Sequence, residues 1–420
     1  MKRRILEIGK DLIIVLLIAC LMLLAAASLP AESIRSSPWL SSLLRPIAPL
    51  LGLPQSELVY VETALPVLDA AQPLLISVRN DAGRATAMWD FGELDSAFET
   101  FGGILGEALD TAGALTPVTQ DQLQDALSGP SVFIRYGTAL PADLLAVWLD
   151  ASIDAASPEA SIYALALEED AVTLYLSGSR CYAAATAVQA ATLSALLDQY
   201  RPDGSQFAFE AGSSVEALSL LPGPGTVVRA ASASNPCDSR YTEQLATALG
   251  FNPYGDASYT DSAGNTSFTE SNCALQVSAS GHVLLTASAG DRFPVSGDGM
   301  DAYVESARQL VELATGETLG DARMYLSGLT QDGETVTCTF DYVLSGIPVA
   351  TGGHGATVTF SSGALLQLEV QVIRCSLSTL TQDLLPVAQA AAILPEGSRL
   401  LLQYGGSASG TLTAGWIEGQ

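Results

Sequence analysis

The stretch "TVTCTFDYVLSGIPVATGGHGATVTFSSGALLQLEVQVIR", residues 335–374, alternates apolar and polar side chains in three successive runs. Such alternation is typical of antiparallel strands that have one buried face and one wetted face. Upstream, residues 300–314 carry one helical stripe, and a helix there is expected to cover the dry face. The stripe consists of Tyr303, Ala307, Leu310, Val311 and Ala314. We therefore predict an α+β fold, with Cys338 and Phe340 in the core beneath that helix.

The histidine of this stretch, His354, lies among glycines in "TGGHGA" between two predicted strands. Glycines provide the backbone freedom for a turn or a bulge. The second histidine of the chain, His282, begins another predicted strand in "SGHVLL". Neither has a partner at metal-ligand spacing. We interpret both as turn and strand-edge residues, and we predict no metal site, no cofactor and no catalytic residue.

Other candidate chemistry is equally weak. No lysine follows Lys10, which removes Schiff-base and Ser-Lys mechanisms from the remaining chain. The serines of "GGSASG" (405–410) lack the GxSxG register. Glu168 and Glu169 could do acid–base chemistry, but they fall in a predicted hairpin turn, where carboxylates are usually solvated. A loop with Asp256, Asp261 and Asn265 lacks the spacing of an EF-hand.

The six cysteines do not form a recognisable scaffold. One of them, Cys20, lies in an apolar run, and the other five are widely spaced without any CxxC pair. This pattern argues against a disulfide framework and against zinc or dithiol chemistry. Cys273 and Cys338 are in step with apolar strand positions, so we expect small buried side chains there.

The composition describes an acidic globular chain of 420 residues that is 48% hydrophobic, long enough for two or three domains. The net charge is −27, from 45 acidic and 18 basic residues. The first 30 residues carry a balance of +2, which leaves −29 for residues 31–420. Without clustered cations the chain should repel phosphates, so nucleic-acid binding is excluded.

The run from Leu12 to Leu29 contains 18 uncharged residues and follows the basic "MKRR". That length just crosses a bilayer, and the basic flank should stay in the cytoplasm. Two other interpretations remain open: a signal-peptidase site at "AAA" (25–27) and a lipobox at "LIAC" (17–20). We expect a retained single-pass anchor, with the bulk of the chain extracytoplasmic.

We predict five segments. Residues 1–30 are the basic start and transmembrane anchor, and residues 31–57 a Pro- and Ser-rich connector. Residues 58–218 form a first α+β domain, with hairpins at 73–90 and 161–178 and helices near 94–109, 141–149 and before Tyr200. Residues 219–238, which include "LLPGPG", are a linker. Residues 239–420 form a second α+β domain that starts with a helix at 239–250.

The order of pieces in the second domain resembles the YycH/YycI family of Gram-positive membrane regulators. A Tyr-rich hairpin, "LGFNPY…YTDSAGNTSFTES", is followed by a helix, "FDYVLSGIPV", "HGATVTFSSGALLQLEVQVIR" and a closing aromatic strand. Gly346, Pro348 and Val349 match the family's Gly-x-Pro-Val element, and Trp416 matches its terminal aromatic residue. The segment "PSVFIRYGTALPADLLAVWL" is similar to the amino-terminal half of the YycH type.

The resemblance implies an anchor helix, an exported α+β body and no catalysis. Its members hold a WalK-type (YycG) sensor histidine kinase in check through contacts with membrane helices and the extracellular domain. The implied partners are therefore such a kinase and a paralogous regulator. The alternative function is an extracytoplasmic ligand- or cell-wall-binding module, or an enzyme whose site is assembled from residues distant in sequence.

Overall fold

The computed structural model describes residues 60–153, 158–255, 257–270, 272–288, 292–406 and 410–419, all within one compact unit, Val59–Gln420. The predicted anchor and connector, residues 1–57, lie outside the described residues. Within the described ranges, none of the helices combines the length and the apolar character needed to span a bilayer. Antiparallel sheets with helices packed on them confirm the predicted α+β class.

The first half of the described chain is built on a seven-stranded antiparallel sheet of order β2-β1-β4-β5-β6-β7-β3. Its strands are β1 (Leu75–Asn80), β2 (Gly83–Ala87), β3 (Thr116–Val118), β4 (Ser131–Pro141), β5 (Glu159–Glu168), β6 (Ala171–Ser177) and β7 (Cys181–Ala185). Both predicted hairpins are confirmed, since β1 pairs with β2 and β5 with β6.

Five helices accompany this sheet in the described residues. They are α1 (Val67–Ala70), α2 (Phe91–Asp110), α3 (Gln120–Ser128), α4 (Ala142–Trp148) and α5 (Ala190–Leu197). Helix α2 begins where Asp90 accepts hydrogen bonds from the amides of Gly92 and Glu93. It buries the apolar residues whose spacing of three and four predicted the helix near 94–109: Leu94, Phe98, Phe101, Leu105 and Leu109. Helix α3 was not predicted, although its Thr119–Gln122 capping box is a recognisable start signal.

The segment predicted as a linker, residues 219–238, contains regular structure. A short pair joins β8 (Gln206–Phe207) to β9 (Leu220–Leu221). Strand β10 (Val228–Ser234) follows and lies inside a four-stranded sheet with the C-terminal strands. The "PGPG" of the predicted corner, residues 222–225, falls between β9 and β10. The division of the chain into two domains at this segment stays a prediction.

The second half is built on a nine-stranded antiparallel sheet with the path β11-β12-β13-β14-β19-β18-β16-β15, and β17 pairs with β16. The strands are β11 (Ser258–Thr260), β12 (Thr266–Glu270), β13 (Cys273–Val277), β14 (His282–Ala287), β15 (Arg323–Asp332), β16 (Thr335–Leu344), β17 (Ile347–Pro348), β18 (Ala356–Ser361) and β19 (Ala364–Gln371). The three alternating runs of residues 335–374 are thus confirmed as strands.

Two helices of the described residues accompany this sheet, α6 (Ser239–Ala248) and α7 (Met300–Thr315), and a 3-10 turn, Gly316–Thr318, follows α7. Helix α7 lies against β16, β18 and β19, and its Tyr303 ring meets Phe360 with centroids 5.6 Å apart. Cys338 and Phe340 are 0% and 3% exposed in the same apolar cluster as α7, which confirms their predicted core position.

Strand β16 extends beyond the helix-covered core. Its Tyr342 and Leu344 share the parity of Phe340 but belong to a second apolar cluster. That cluster also contains Ala231 of β10 and side chains of the four-stranded sheet β20-β10-β22-β21. This sheet is completed by β20 (Arg374–Gln382), β21 (Arg399–Gly405) and β22 (Gly410–Gly419), and α8 (Val387–Ile393) precedes β21.

One apolar cluster runs through both halves of the described chain. It joins Leu140 and Trp148 of the first half to Val304 and Phe340 of the second. The backbones of β4 and β15 approach so closely that a Cβ at Gly137 would overlap the carbonyl oxygen of Leu326. This contact needs a glycine, and it places the two halves around a common interior.

Candidate functional site

His354 lies in the loop before β18, with its side chain 51% exposed. Its Nδ1 is 3.2 Å from both carboxylate oxygens of Asp341, and the same carboxylate accepts a 3.0 Å hydrogen bond from the Gly355 amide. The loop also contains Gly352 with a φ of +84°. The carboxylate therefore closes the turn onto β16, as expected for a turn histidine.

His282 is the first residue of β14, as predicted. Its Nε2 is 2.8 Å from Oε1 of Glu369 on the neighbouring strand β19, and both side chains are well exposed, at 39% and 49%. In the described residues no group of three or more His, Cys, Asp or Glu side chains is arranged to hold a metal ion. That neither histidine is needed for chemistry stays a prediction.

The acidic candidates are engaged in local structure. The Glu168 carboxylate accepts hydrogen bonds from the hydroxyls of Thr173 and Tyr175, both at 2.6 Å. Glu169, at the turn, has a φ of +55°. Asp261 accepts from the amides of Ala263 and Asn265 at 2.9 Å and from the Asn265 side chain at 2.8 Å. These hydrogen bonds lower the pKa of Asp261. Asp256 and residues 407–409 of "GGSASG" lie outside the described residues.

The cysteines after residue 60 are free thiols, and three of them are buried: Cys273, Cys338 and Cys375. The predicted burial of Cys273 and Cys338 is confirmed, at 2% and 0% exposure. Burial raises the pKa of the Cys338 thiol to about 12 and that of Cys375 to about 11. Protonated, enclosed thiols are poor nucleophiles. Cys20 lies outside the described residues.

A buried ion pair that sequence reasoning missed holds the first sheet to the segment after it. Arg84 on β2 is 1% exposed and makes two hydrogen bonds to Glu210, at 3.1 and 2.9 Å. It also donates to the Leu127 carbonyl at 2.8 Å, and its guanidinium lies 4.2 Å from the Phe207 ring centroid. Burial lowers the pKa of Arg84, and the Glu210 carboxylate opposes that shift. The pair has a structural role.

A cavity of about 570 Å³, here called the junction cavity, lies between the two halves. The first half contributes β4 and α4 around Tyr136 and Trp148, and the second contributes α7, β15 and the Phe340 ring. At its rim Arg323 makes a bidentate pair with Asp95, at 2.6 and 2.7 Å. Sequence reasoning missed this site because its walls come from elements far apart in the chain.

A second concave surface, here called the aromatic groove, encloses about 600 Å³. Trp89 and Trp416 line it together with Leu385 and the prolines that flank β9 and α8. The Trp416 Nε1 donates to the Leu385 carbonyl at 2.8 Å. The residue matched to the family's terminal aromatic position thus anchors the segment before α8.

Comparisons with known proteins give one informative result. No family model matches the sequence, and no curated protein matches it significantly. The structure, however, is similar to the crystal structure of YycH from Bacillus subtilis, with a TM-score of 0.51 and 9% sequence identity. The match covers 85% of this chain and 98% of that chain. The likeness shows a YycH-like fold, and it gives no support to the YycI part of the sequence resemblance.

Proposed function

We propose that the chain is a membrane-anchored, extracytoplasmic regulator of a two-component signalling system, acting by non-catalytic contact with a sensor histidine kinase of the WalK type. The observation that carries this proposal is the YycH-like fold over 85% of the chain. The acidic composition agrees with it, because a protein partner suits this surface better than nucleic acid does.

The proposed contact has two parts, the Leu12–Leu29 segment and the exported body. The 18-residue uncharged run behind "MKRR" supports an anchor with the carboxyl terminus outside. Ala19, Ala25, Ala26, Ala27 and Ser28 are small enough for close approach of a partner helix, and packing drives helix association in lipid. The segment is thus proposed as a contact surface as well as a tether.

Replacing Leu12–Leu29 with a poly-Leu run of equal length tests this mechanism in cells that carry the partner kinase. We expect unchanged export and protein level, and an altered kinase output measured as response-regulator phosphorylation. The control is a segment of the same composition in which the small residues at 25–28 are dispersed along the run. Equal output from native and poly-Leu chains would remove the segment from the mechanism. A mature amino terminus at Ser28, or a lipidated Cys20, would contradict the retained anchor itself.

The second candidate function is an extracytoplasmic ligand-binding module, and the junction cavity favours it. Binding by such a module needs no membrane helix, whereas regulation through membrane helices does. A chain that lacks residues 1–58 separates the two functions if it is exported and folded. Retained ligand binding with lost kinase control would show that the two activities reside in different parts of the molecule.

A further inference from the structure

The junction cavity has the dimensions and the lining of a small-molecule site. Its volume of about 570 Å³ falls within the usual range of roughly 300–1,000 Å³ for such sites. Its apolar walls come from both halves: Leu140 and Trp148 on one side, and Val304, Val311 and Phe340 on the other. A molecule bound there would contact β4 and α4 as well as α7 and β16.

Two buried hydroxyls in the wall, those of Tyr136 and Tyr325, have no hydrogen-bond partner among the described residues, and the Tyr325 hydroxyl lies beside the charge of Arg323. Tyr136 lines the cavity and is only 5% exposed, and its hydroxyl makes no hydrogen bond to any described residue. The neighbouring Tyr163, whose ring meets Tyr136 edge-on at 5.7 Å, donates to the Leu140 carbonyl at 3.3 Å. An unpaired buried hydroxyl is rare and costly in a folded protein. It therefore points to a ligand that completes the bonding of Tyr136.

The charged side chains around the cavity determine whether a cationic or an anionic ligand is favoured. Both rim arginines are neutralised: Arg323 by Asp95, at 2.6 and 2.7 Å, and Arg308 by Glu305, at 2.6 Å. Each also donates to an uncharged oxygen, Arg308 to the Pro66 carbonyl and Arg323 to the Gln72 side chain.

Two further acids, Asp69 and Glu312, line the cavity, and their carboxylates make no hydrogen bond or ion pair with any described residue. The local excess of charge is therefore negative. An anion would be repelled, whereas a cation would be attracted.

We propose that the junction cavity binds an organic amine whose ammonium group is held by Asp69 and Glu312. Its apolar body lies between Trp148 and Phe340, and a polar atom at its far end bonds the Tyr136 hydroxyl. The walls of the site contain none of the residues of the anchor, so ligand binding is measurable apart from any contact of the anchor with the kinase.

Four probes of nearly equal shape test the proposal on the purified full chain by titration calorimetry. Tyramine has both groups, phenethylamine lacks the hydroxyl, tyrosol lacks the amine, and 3-(4-hydroxyphenyl)propionate carries the opposite charge. Tyramine should bind about tenfold more tightly than tyrosol, since two carboxylates attract its charge. It should bind about fivefold more tightly than phenethylamine, the equivalent of one neutral hydrogen bond. The propionate should bind least of all.

Three variants assign these differences to residues. Tyr136→Phe should erase the advantage of tyramine over phenethylamine, whereas Tyr163→Phe, which removes a buried hydroxyl outside the cavity lining, should preserve it. The double variant Asp69→Asn/Glu312→Gln should remove the advantage of tyramine over tyrosol. Circular dichroism and thermal melting verify the fold of each variant. Absence of tyramine binding to the folded wild-type chain, or equal binding of amine and acid, overturns the proposal. Neither result bears on the kinase hypothesis, because no kinase is present.

Discussion

Two Ser-Gly pairs form tight turns of the same type, but only one of the two glycines lies against another part of the backbone. Ser345–Gly346 connects β16 to β17 with φ angles of +49° and +71°, and Ser362–Gly363 connects β18 to β19 with +49° and +79°. Positive φ at both central residues defines the hairpin turn that matches the twist of paired strands. A Cβ on Gly346 would overlap the Met88 carbonyl oxygen, whereas a Cβ on Gly363 would meet nothing within 4 Å. Gly346 thus serves both the turn and the contact with the first half.

The matched substitutions Gly346→Ala and Gly363→Ala separate these two roles. Gly363→Ala should cost about 1–2 kcal/mol, the penalty of a left-handed residue with a Cβ. Gly346→Ala should cost about 1–3 kcal/mol more, because backbone must also shift to admit the methyl group. Denaturant unfolding of both variants measures the difference. Equal losses would show that the approach to Met88 relaxes without penalty.

Because the Arg84–Glu210 pair is buried, we expect the substitution Glu210→Gln to lower the free energy of unfolding strongly. Glu210→Gln leaves the 1% exposed Arg84 guanidinium without its charge partner, and breaking a buried pair in this way costs about 3–5 kcal/mol. The control is Glu369→Gln, whose partner His282 is well exposed, and its effect should stay within about 1 kcal/mol. Urea midpoints at neutral pH provide the comparison, and similar midpoints for the two variants would refute the structural role of Arg84.

Prediction from sequence at this scale succeeded where the reason is local. The glycines around His354 indicated a turn, and the structure has a turn there. The partner of Arg84 lies 126 residues away, and no local pattern connects the two. The unpaired state of the Tyr136 hydroxyl likewise could not be predicted from the sequence, because it depends on which residues pack around β4 in the folded chain.

Elements with a strong period were predicted well. Strand β16 alternates from Thr335 to Tyr342, α2 buries the stripe that its sequence shows, and α7 buries all of its stripe except the half-buried Tyr303. The position of β10 was not predicted, because its Ala- and Ser-rich sequence has little apolar alternation and its partners β20 and β22 lie far along the chain. Parity also could not show that Phe340 and Tyr342 enter different clusters. That assignment depends on where α7 ends above the sheet.

Shortening the Phe340 side chain of β16 tests how tightly the sheet packs beneath α7. Phe340→Ala removes a side chain that is 3% exposed, and deleting a buried phenyl ring costs about 3–5 kcal/mol. Leu366→Ala on β19 of the same sheet is the control, since Leu366 is 46% exposed, and it should change stability by no more than about 0.5 kcal/mol. A Phe340→Ala chain that unfolds at the wild-type denaturant concentration would contradict the packing beneath α7.

For the whole molecule, buried thiols make stability depend on alkaline pH. Burial raises the pKa of Cys375 from 9.0 to about 11, and that of Cys338 from 9.0 to about 12. As pH rises above 9, the unfolded chain loses these protons first, so it binds fewer protons than the folded chain. The free energy of unfolding must therefore fall with pH in this window and be at its full value below pH 9.

The expected outcome is a decline of the urea midpoint between pH 9 and pH 11 that is shallower in Cys375→Ala than in the wild type. Comparing slopes, rather than midpoints at one pH, removes the loss caused by the missing sulfur. An unchanged slope in Cys375→Ala would mean that this thiol does not contribute to alkaline unfolding.

Leu140, Trp148, Val304 and Phe340 belong to one apolar cluster. Packing in this cluster should therefore hold the two halves together even without an intact backbone between them. A protease that cleaved the backbone between the two halves would leave both fragments joined by their common interior, and they would migrate together until denaturant was added. The same arrangement disfavours either half as an independent protein. A gene fragment that encodes one half would produce a chain whose apolar surface, normally buried against the other half, is exposed. Such a fragment would be recovered in inclusion bodies, and it would become soluble only when its complement was supplied.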